Sequence, residues 1–232
     1  MSAERPAPQT DPLDPVDPAD AGAQADPRTM RERMLAGDLY IADDPELLEA
    51  ADRAHDLVAA YNATTSRQRP LRRELLERLL GSVGADVELR PPLHVDYGAH
   101  LTVGPRTFAN FGLMALDVAP ITIGADVMIG PNVQLLTPTH PIDPDLRRAK
   151  WEAALPIVIG DNVWLGGGVV VCPGVTIGAD TVVGAGAVVT RDLPARVVAV
   201  GNPARVVRTI DGSQGGAGGA ASDNTTPPSG AA

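Results

Sequence analysis

Residues 157–192 read Ile157-Val-Ile-Gly-Asp-Asn, Val163-Trp-Leu-Gly-Gly-Gly, Val169-Val-Val-Cys-Pro-Gly, Val175-Thr-Ile-Gly-Ala-Asp, Thr181-Val-Val-Gly-Ala-Gly and Ala187-Val-Val-Thr-Arg-Asp. Six consecutive blocks of six hold register without a gap. Further blocks begin at Ile121, Val127 and Val133, and looser ones at Leu93, Leu101, Thr107 and Leu113. An aliphatic first residue, a β-branched third and then Gly, Asn or Asp describe a strand of two or three residues followed by a turn that needs permissive backbone. Such hexapeptides build a parallel β-helix, an all-β repeat in which three blocks make one coil. A sandwich of alternating strands would give spacings of about 8 to 12 residues and no fixed register.

The composition agrees with a narrow repetitive core. Among 232 residues there are only two Trp, three Tyr and two Phe against 24 Gly and 22 Pro, so the core must be built from Val, Ile, Leu and Ala. The net charge of −10 argues against a nucleic-acid backbone as partner. No apolar run approaches the roughly 20 residues needed to cross a bilayer, which predicts no membrane partner. A single cysteine, Cys172, and the lack of a signal-like start point to a reducing, cytoplasmic setting.

Four segments are expected. Residues 1–28 carry six prolines and six acids against Arg5 and Arg28 and form a disordered acidic arm. Residues 29–81 form a helical cap: Asp44 caps a helix with Pro45 in its first turn, and a second helix runs through Leu71, Leu75, Leu76, Leu79 and Leu80 to a stop at Gly81. Residues 82–210 form the β-helix, and residues 211–232, rich in Gly, Ala, Ser and Pro, a flexible tail. The sixes break at about 137–156, and a long excursion from a regular scaffold is where function concentrates.

His140 stands in that excursion, between Thr139 and Pro141 with Pro138 before it, in extended chain. An imidazole titrates near working pH and suits removal of a proton from an alcohol. His55 reads as a surface or packing residue of a helix. Cys172 reads as a small turn residue. The glycines at 166–168, 184 and 186 complete no nucleotide-binding motif.

Met34-Leu-Ala-Gly-Asp-Leu-Tyr40, Val95-Asp-Tyr-Gly98, Phe108-Ala-Asn-Phe111, Leu116-Asp117, Thr139-His-Pro-Ile-Asp143, Asn162-Val-Trp164, Pro173-Gly-Val-Thr-Ile-Gly178 and Gly201-Asn-Pro-Ala-Arg205 resemble the maltose and galactoside O-acetyltransferases over about Met30 to Ile210. The resemblance implies a left-handed β-helix, assembled as a homotrimer, that moves acetyl from acetyl-CoA to a sugar hydroxyl with no metal. It places His140 as the general base and Asn110 in the acceptor pocket. By the same resemblance Asp96 faces the acceptor, Asp117 orients the sugar or the histidine, and Asp43 makes a further acceptor contact. Residue types alone would give these Asn and Asp positions to turns. Gly167, Ala185, Thr190, Arg191 and Arg205 fall where relatives contact acetyl-CoA, with a Gly167 amide for the oxyanion. Residues 187–210 carry Arg191, Arg196, Arg205 and Arg208 against Asp192, which suits the coenzyme phosphates. Trp164 either lines this pocket or is a buried turn aromatic.

Three other readings compete. One is a trimeric β-helix metal enzyme of carbonic-anhydrase type, for which His94 and His100, six apart, would be the ligands to consider. The second is a non-catalytic assembly module. The third keeps acetyl transfer but gives it a non-sugar hydroxyl, such as that of serine or a xenobiotic.

Overall fold

A computed structural model describes residues 26–211. Its core is a triangular stack of coils in which every strand pairs in parallel with the strand one coil later. The first face holds Leu101–Val103, Ile121–Ile123, Ile157–Ile159 and Thr176–Ile177; the second holds Phe108–Ala109, Met128–Ile129, Trp164–Leu165 and Val182–Val183. Leu93–Val95, Leu113–Leu116, Gln134–Leu136, Val170–Val171 and Val188–Val189 form the third. Three sixes do make one coil: Val158 pairs with Thr176, Trp164 with Val182 and Val170 with Val188. The looser blocks are looser because the early coils are longer, with Phe108 opposite Met128 and Leu93 opposite Leu113. Two extra residues per coil shift the turns while keeping the strands in line.

The first residue of each block points inward. Ile121, Val127, Val133, Ile157, Val163 and Val169 are completely enclosed, each contributing roughly 1.5–3 kcal/mol of apolar burial. Thr107 and Thr181 occupy the same position and are tolerated because their hydroxyls are bonded, to the Gly124 and Pro194 carbonyls, each at 2.8 Å. Between the first and second faces each coil turns on one left-handed residue, and Asp86, Arg106, Asp126, Asn162, Asp180 and Arg196 form a column there with φ between 55° and 60°. The outward side chains differ between faces. The first face shows Thr102, Thr122 and Thr176, whereas the second shows Phe108, Met128, Trp164, Val182 and Val198 in one paired row.

The cap contains α1 (Met30–Ala36), α2 (Pro45–Asn62) and α3 (Arg69–Leu79). Thr29 and Glu32 form a capping box on α1, and the Asp44 carboxylate accepts from the Glu46 amide at 2.9 Å with Pro45 next in line. Two expectations need correction. Gly81 does not stop the second helix, which ends at Leu79 with an extended Leu80; Gly81 instead starts the first coil, where a Cβ would run into the Ala99 carbonyl. The last residues of the acidic arm are also ordered, because Asp26 and Arg28 pair with each other and with Arg33 and Asp38. The rest of that arm and the tail from 212 on lie outside the described residues. The stack ends in a hairpin, Val197–Val200 running antiparallel to Arg205–Thr209.

Where coils stack at a corner, backbone meets backbone. A Cβ on Gly130 would lie 2.5 Å from the Gly167 nitrogen, while one on Gly168 would meet nothing within 4 Å and suffer only its φ of 69°. Gly168→Ala should therefore cost about 1–2 kcal/mol. Gly130→Ala should cost several times more, read as a clearly larger fall in Tm by calorimetry.

Candidate active site

The corner between the third face and the first carries most of the polar residues singled out in the sequence. Its foundation is Asp117, which is completely buried. One carboxylate oxygen accepts from the amides of Asp96 (3.1 Å) and Tyr97 (2.9 Å), the other from the amide of His100 (3.0 Å). Three charge-assisted bonds hold the turn 96–100 in place. Both Asp117 carboxylate oxygens are thus taken up by backbone amides. His100 is taken up in the same lock, its Nδ1 lying 2.8 Å from the Asp117 carbonyl oxygen.

One coil later the excursion leaves this corner. Thr137 is buried, donates to the Leu116 carbonyl at 2.6 Å and accepts from the Ala119 amide at 3.0 Å, which anchors its base. The chain continues as Pro138–Thr139, His140, a short helix α4 (Pro144–Arg148) capped by Asp143, and a returning strand Trp151–Ala154. That strand is antiparallel to Pro138–Thr139 on one side and to Tyr40–Ile41 of the cap on the other. Thr139 faces Ala153 and Tyr40 faces Glu152, so continuing the register sets His140, Glu152 and Tyr40 side by side. His140 Nε2 lies 3.8 Å from Glu152 Oε2, too long for a hydrogen bond and close enough for charge to act. His140 is over half exposed and Glu152 mostly covered. Met34, Tyr40 and Leu47 of the cap pack on Val118, Ala119 and Ala154, which fixes the hairpin to the corner.

The residues of this corner are acidic and partly buried. Burial, then the charges of Asp117 and Glu152, push the Asp96 carboxyl up to about 6, against a small opposing effect of His55. Burial and Asp96 push the Tyr97 phenol up to about 12. Tyr40 is raised still further by burial first and then by Glu152. Its hydroxyl is buried and finds no hydrogen-bond partner among the described residues. Sequence reading gave Glu152 and Tyr40 no role, although Tyr40 closes the Met34–Tyr40 motif; only the hairpin register brings them to His140. Asp43 follows the Tyr40–Ile41 strand on the same side of the molecule and is exposed.

The remaining site residues divide between two corners. Thr190 and Arg191 follow Val188–Val189 and so share the His140 corner. Asn110, Gly167 and Ala185 lie at the corner between the second and third faces, one face away. There the amides of Gly167 and Ala185, on successive coils, have no acceptor among the described residues. Arg205 pairs with Val200 at the end of this second corner, next to Gly184. The turn before Arg205 also reaches the third face, where the Ala204 amide donates to the Val188 carbonyl at 2.8 Å, three residues before Arg191. Trp164 is about half exposed on the second face and is not a buried turn aromatic. Cys172 is half-buried and burial pushes its thiol up, which suits a packing residue. No group of three or more His, Cys, Asp or Glu among the described residues is placed to hold a metal ion, and no described helix is long and apolar enough to cross a membrane.

Comparison with known proteins matches two family models, a maltose acetyltransferase hexapeptide capping motif over residues 33–84 and a bacterial transferase hexapeptide (six repeats) over 156–191. The galactoside O-acetyltransferase of Escherichia coli K12 is 39% identical over 182 residues, covering 78% of this chain and 90% of that protein. The crystal structure of a maltose O-acetyltransferase from Clostridium difficile 630 superposes with a TM-score of 0.79 at 44% identity, over 80% of this chain and all of the other. A galactoside acetyltransferase in complex with coenzyme A gives 0.77 at 38% identity, over 79% and 92%. By its capping motif, its hexapeptides and these relatives, the chain belongs to the maltose and galactoside O-acetyltransferase family of hexapeptide-repeat transferases.

Proposed function

We propose that the protein transfers acetyl from acetyl-CoA directly to a sugar hydroxyl, at sites formed between copies of the chain in a homotrimer. The observation that carries this reading is the division of the site. His140 with its acidic neighbours lies at one corner, and the two free amides of Gly167 and Ala185 lie at another. A second copy docking its corner against the first unites them. The apolar row Phe108, Met128, Trp164, Val182 and Val198 beside the amide corner gives such a contact something to bury.

In this reading the sugar lies against Asp96 and Asp43 of one chain and Asn110 of the next. Carboxylates and an amide suit its hydroxyls. Asp117 contributes by holding the turn that aims Asp96. The amides of Gly167 and Ala185 donate to carbonyls of the pantetheine arm, Gly167 to the thioester oxygen as charge develops there. Thr190 and Arg191 supply donors from the other side, and Arg205 faces the phosphates. His140 takes the hydroxyl proton as the oxygen attacks the acetyl carbon. The carbon–sulfur bond then breaks and the proton passes to the departing thiolate. Glu152, 3.8 Å away, steadies the positive imidazolium.

Three outcomes test this scheme. His140→Ala should lower kcat by roughly 10²- to 10⁴-fold while acetyl-CoA still binds, and Cys172→Ala should keep most activity, followed as thiol release with glucosyl and galactosyl acceptors. Mixing denatured His140→Ala and Asn110→Ala chains in equal amounts and refolding them should restore about a quarter of wild-type activity, since random trimers then hold intact sites; sites contained in single chains would restore none. The third outcome is stability against pH. Asp96 is raised above its ordinary value, so its contribution to stability is fully present below about pH 4 and lost as pH rises through about 6. Asp96→Asn should therefore raise Tm by several degrees at pH 8, and by progressively less towards pH 4.

A further inference from the structure

A cavity of about 760 Å³ opens beneath the helical cap, between the α2–α3 connection and the first coil. That is room for a molecule of monosaccharide size with substituents. Arg69, Arg72, Arg73 and Arg90 line it, against Asp86 and Glu88. In a chain of net charge −10 this is a local reversal of sign. Two of the four are already balanced: Arg73 by Glu77 at 2.6 Å and the Gly84 and Val83 carbonyls, Arg90 by Glu88 at 3.1 Å. The other two are not. Arg72 is half-buried and donates only to neutral oxygens, the hydroxyl of Thr64 at 2.8 Å and its carbonyl at 3.2 Å. Arg69 has no partner among the described residues.

The cavity walls are stiff. Asn62, at the end of α2, is bonded both ways to the Leu93 backbone at 2.9 and 2.8 Å, and the buried Tyr61 hydroxyl donates to the Leu89 carbonyl. Arg90 is stacked between Phe108 and Phe111, with its guanidinium carbon 4.9 and 5.5 Å from the two ring centres. Pro91, Pro92 and Phe111 give an apolar side. A half-buried guanidinium held by neutral oxygens, that of Arg72, with the exposed and unpaired Arg69 and an apolar wall beside it, suits an oxyanion carried on a small body. None of His140, Asp96, Asn110, Gly167, Ala185, Thr190, Arg191 or Arg205 lines the cavity, which borders the second corner through Phe111, next to Asn110.

We propose that this cavity is a second binding site, separate from acetyl transfer, for a small molecule carrying a phosphate or a carboxylate. Isothermal titration calorimetry on the full chain at low ionic strength, with saturating coenzyme A present, tests it with three probes: glucose 6-phosphate, glucuronate and glucose. At least one charged probe should show a binding component of one per chain that weakens with salt, and glucose, free to enter the acceptor site, should show no component that depends on Arg69. Which charged probe binds distinguishes a phosphate from a carboxylate ligand. Arg69→Glu should reduce that affinity at least tenfold, whereas Arg67→Glu, the same charge change two residues away, and Arg205→Ala should leave it unchanged. The proposal is overturned if neither charged probe binds, if glucose shows the same Arg69-dependent component, if Arg69→Glu binds the charged probe normally, or if Arg205→Ala abolishes binding and so assigns the ion to the coenzyme patch.

Discussion

Parallel pairing of each strand with the strand one coil later is the constraint from which the rest of the molecule follows. It requires every coil to present its strands at the same three places, and it makes the corners places where backbone lies directly on backbone. Gly130, whose Cβ would meet the Gly167 nitrogen, and the left-handed column from Asp86 to Arg196 are both products of that contact. Anything that departs from the repeat must leave and return at a corner, since a departure within a strand would break two ladders at once. The excursion carrying His140 does so, with Gln134–Leu136 before it and Ile157–Ile159 after it still in register with their neighbours.

The scaffold holds its chemistry at a distance from itself. His140 is not fixed by the ladders that organise the core. It is fixed by a small antiparallel sheet in which the cap contributes the outer strand. Tyr40 is as far from Glu152 in sequence as the helical cap is from the late coils, yet the two are register partners. The cap is therefore part of the site and not merely a lid on the first coil. Removing apolar contacts such as Met34 or Leu47 would be felt at the histidine through Val118, Ala119 and Ala154.

How much of this could be read in the sequence varies with the range of the interaction. The period of six is visible because each block must satisfy the same local demand, an inward aliphatic and a permissive turn. The caps at Thr29 and Asp44 are equally local. Coils of 20 were harder to see, because Thr107 stands where an aliphatic is expected and its fitness depends on a carbonyl 17 residues away. His140 was found through the motif around it. Asp117 was noticed for its charge, but its partners are backbone amides in another coil, which no side-chain pattern announces. Glu152, Tyr40 and the arginine-lined cavity were invisible for the same reason, since each is an encounter between segments that carry no mark of one another.

The hairpin that closes the stack has a consequence for what the molecule must avoid. A stack of parallel coils has no natural length, because its last coil offers a neighbour the same amides and carbonyls that every earlier coil offered to the next. Arg205–Thr209 reverses the chain and covers the second face of that end with a strand of opposite direction, exposed along its length and carrying Arg205 and Arg208. Another copy approaching end-on would meet mismatched polarity and positive charge. At the opposite end Tyr61 and Asn62 of α2 bond to the first coil's Leu89 and Leu93, and Leu75, Leu76 and Leu79 of α3 are buried in the same core. A change of direction at one end and a helix at the other keep a self-templating architecture from growing into a fibre.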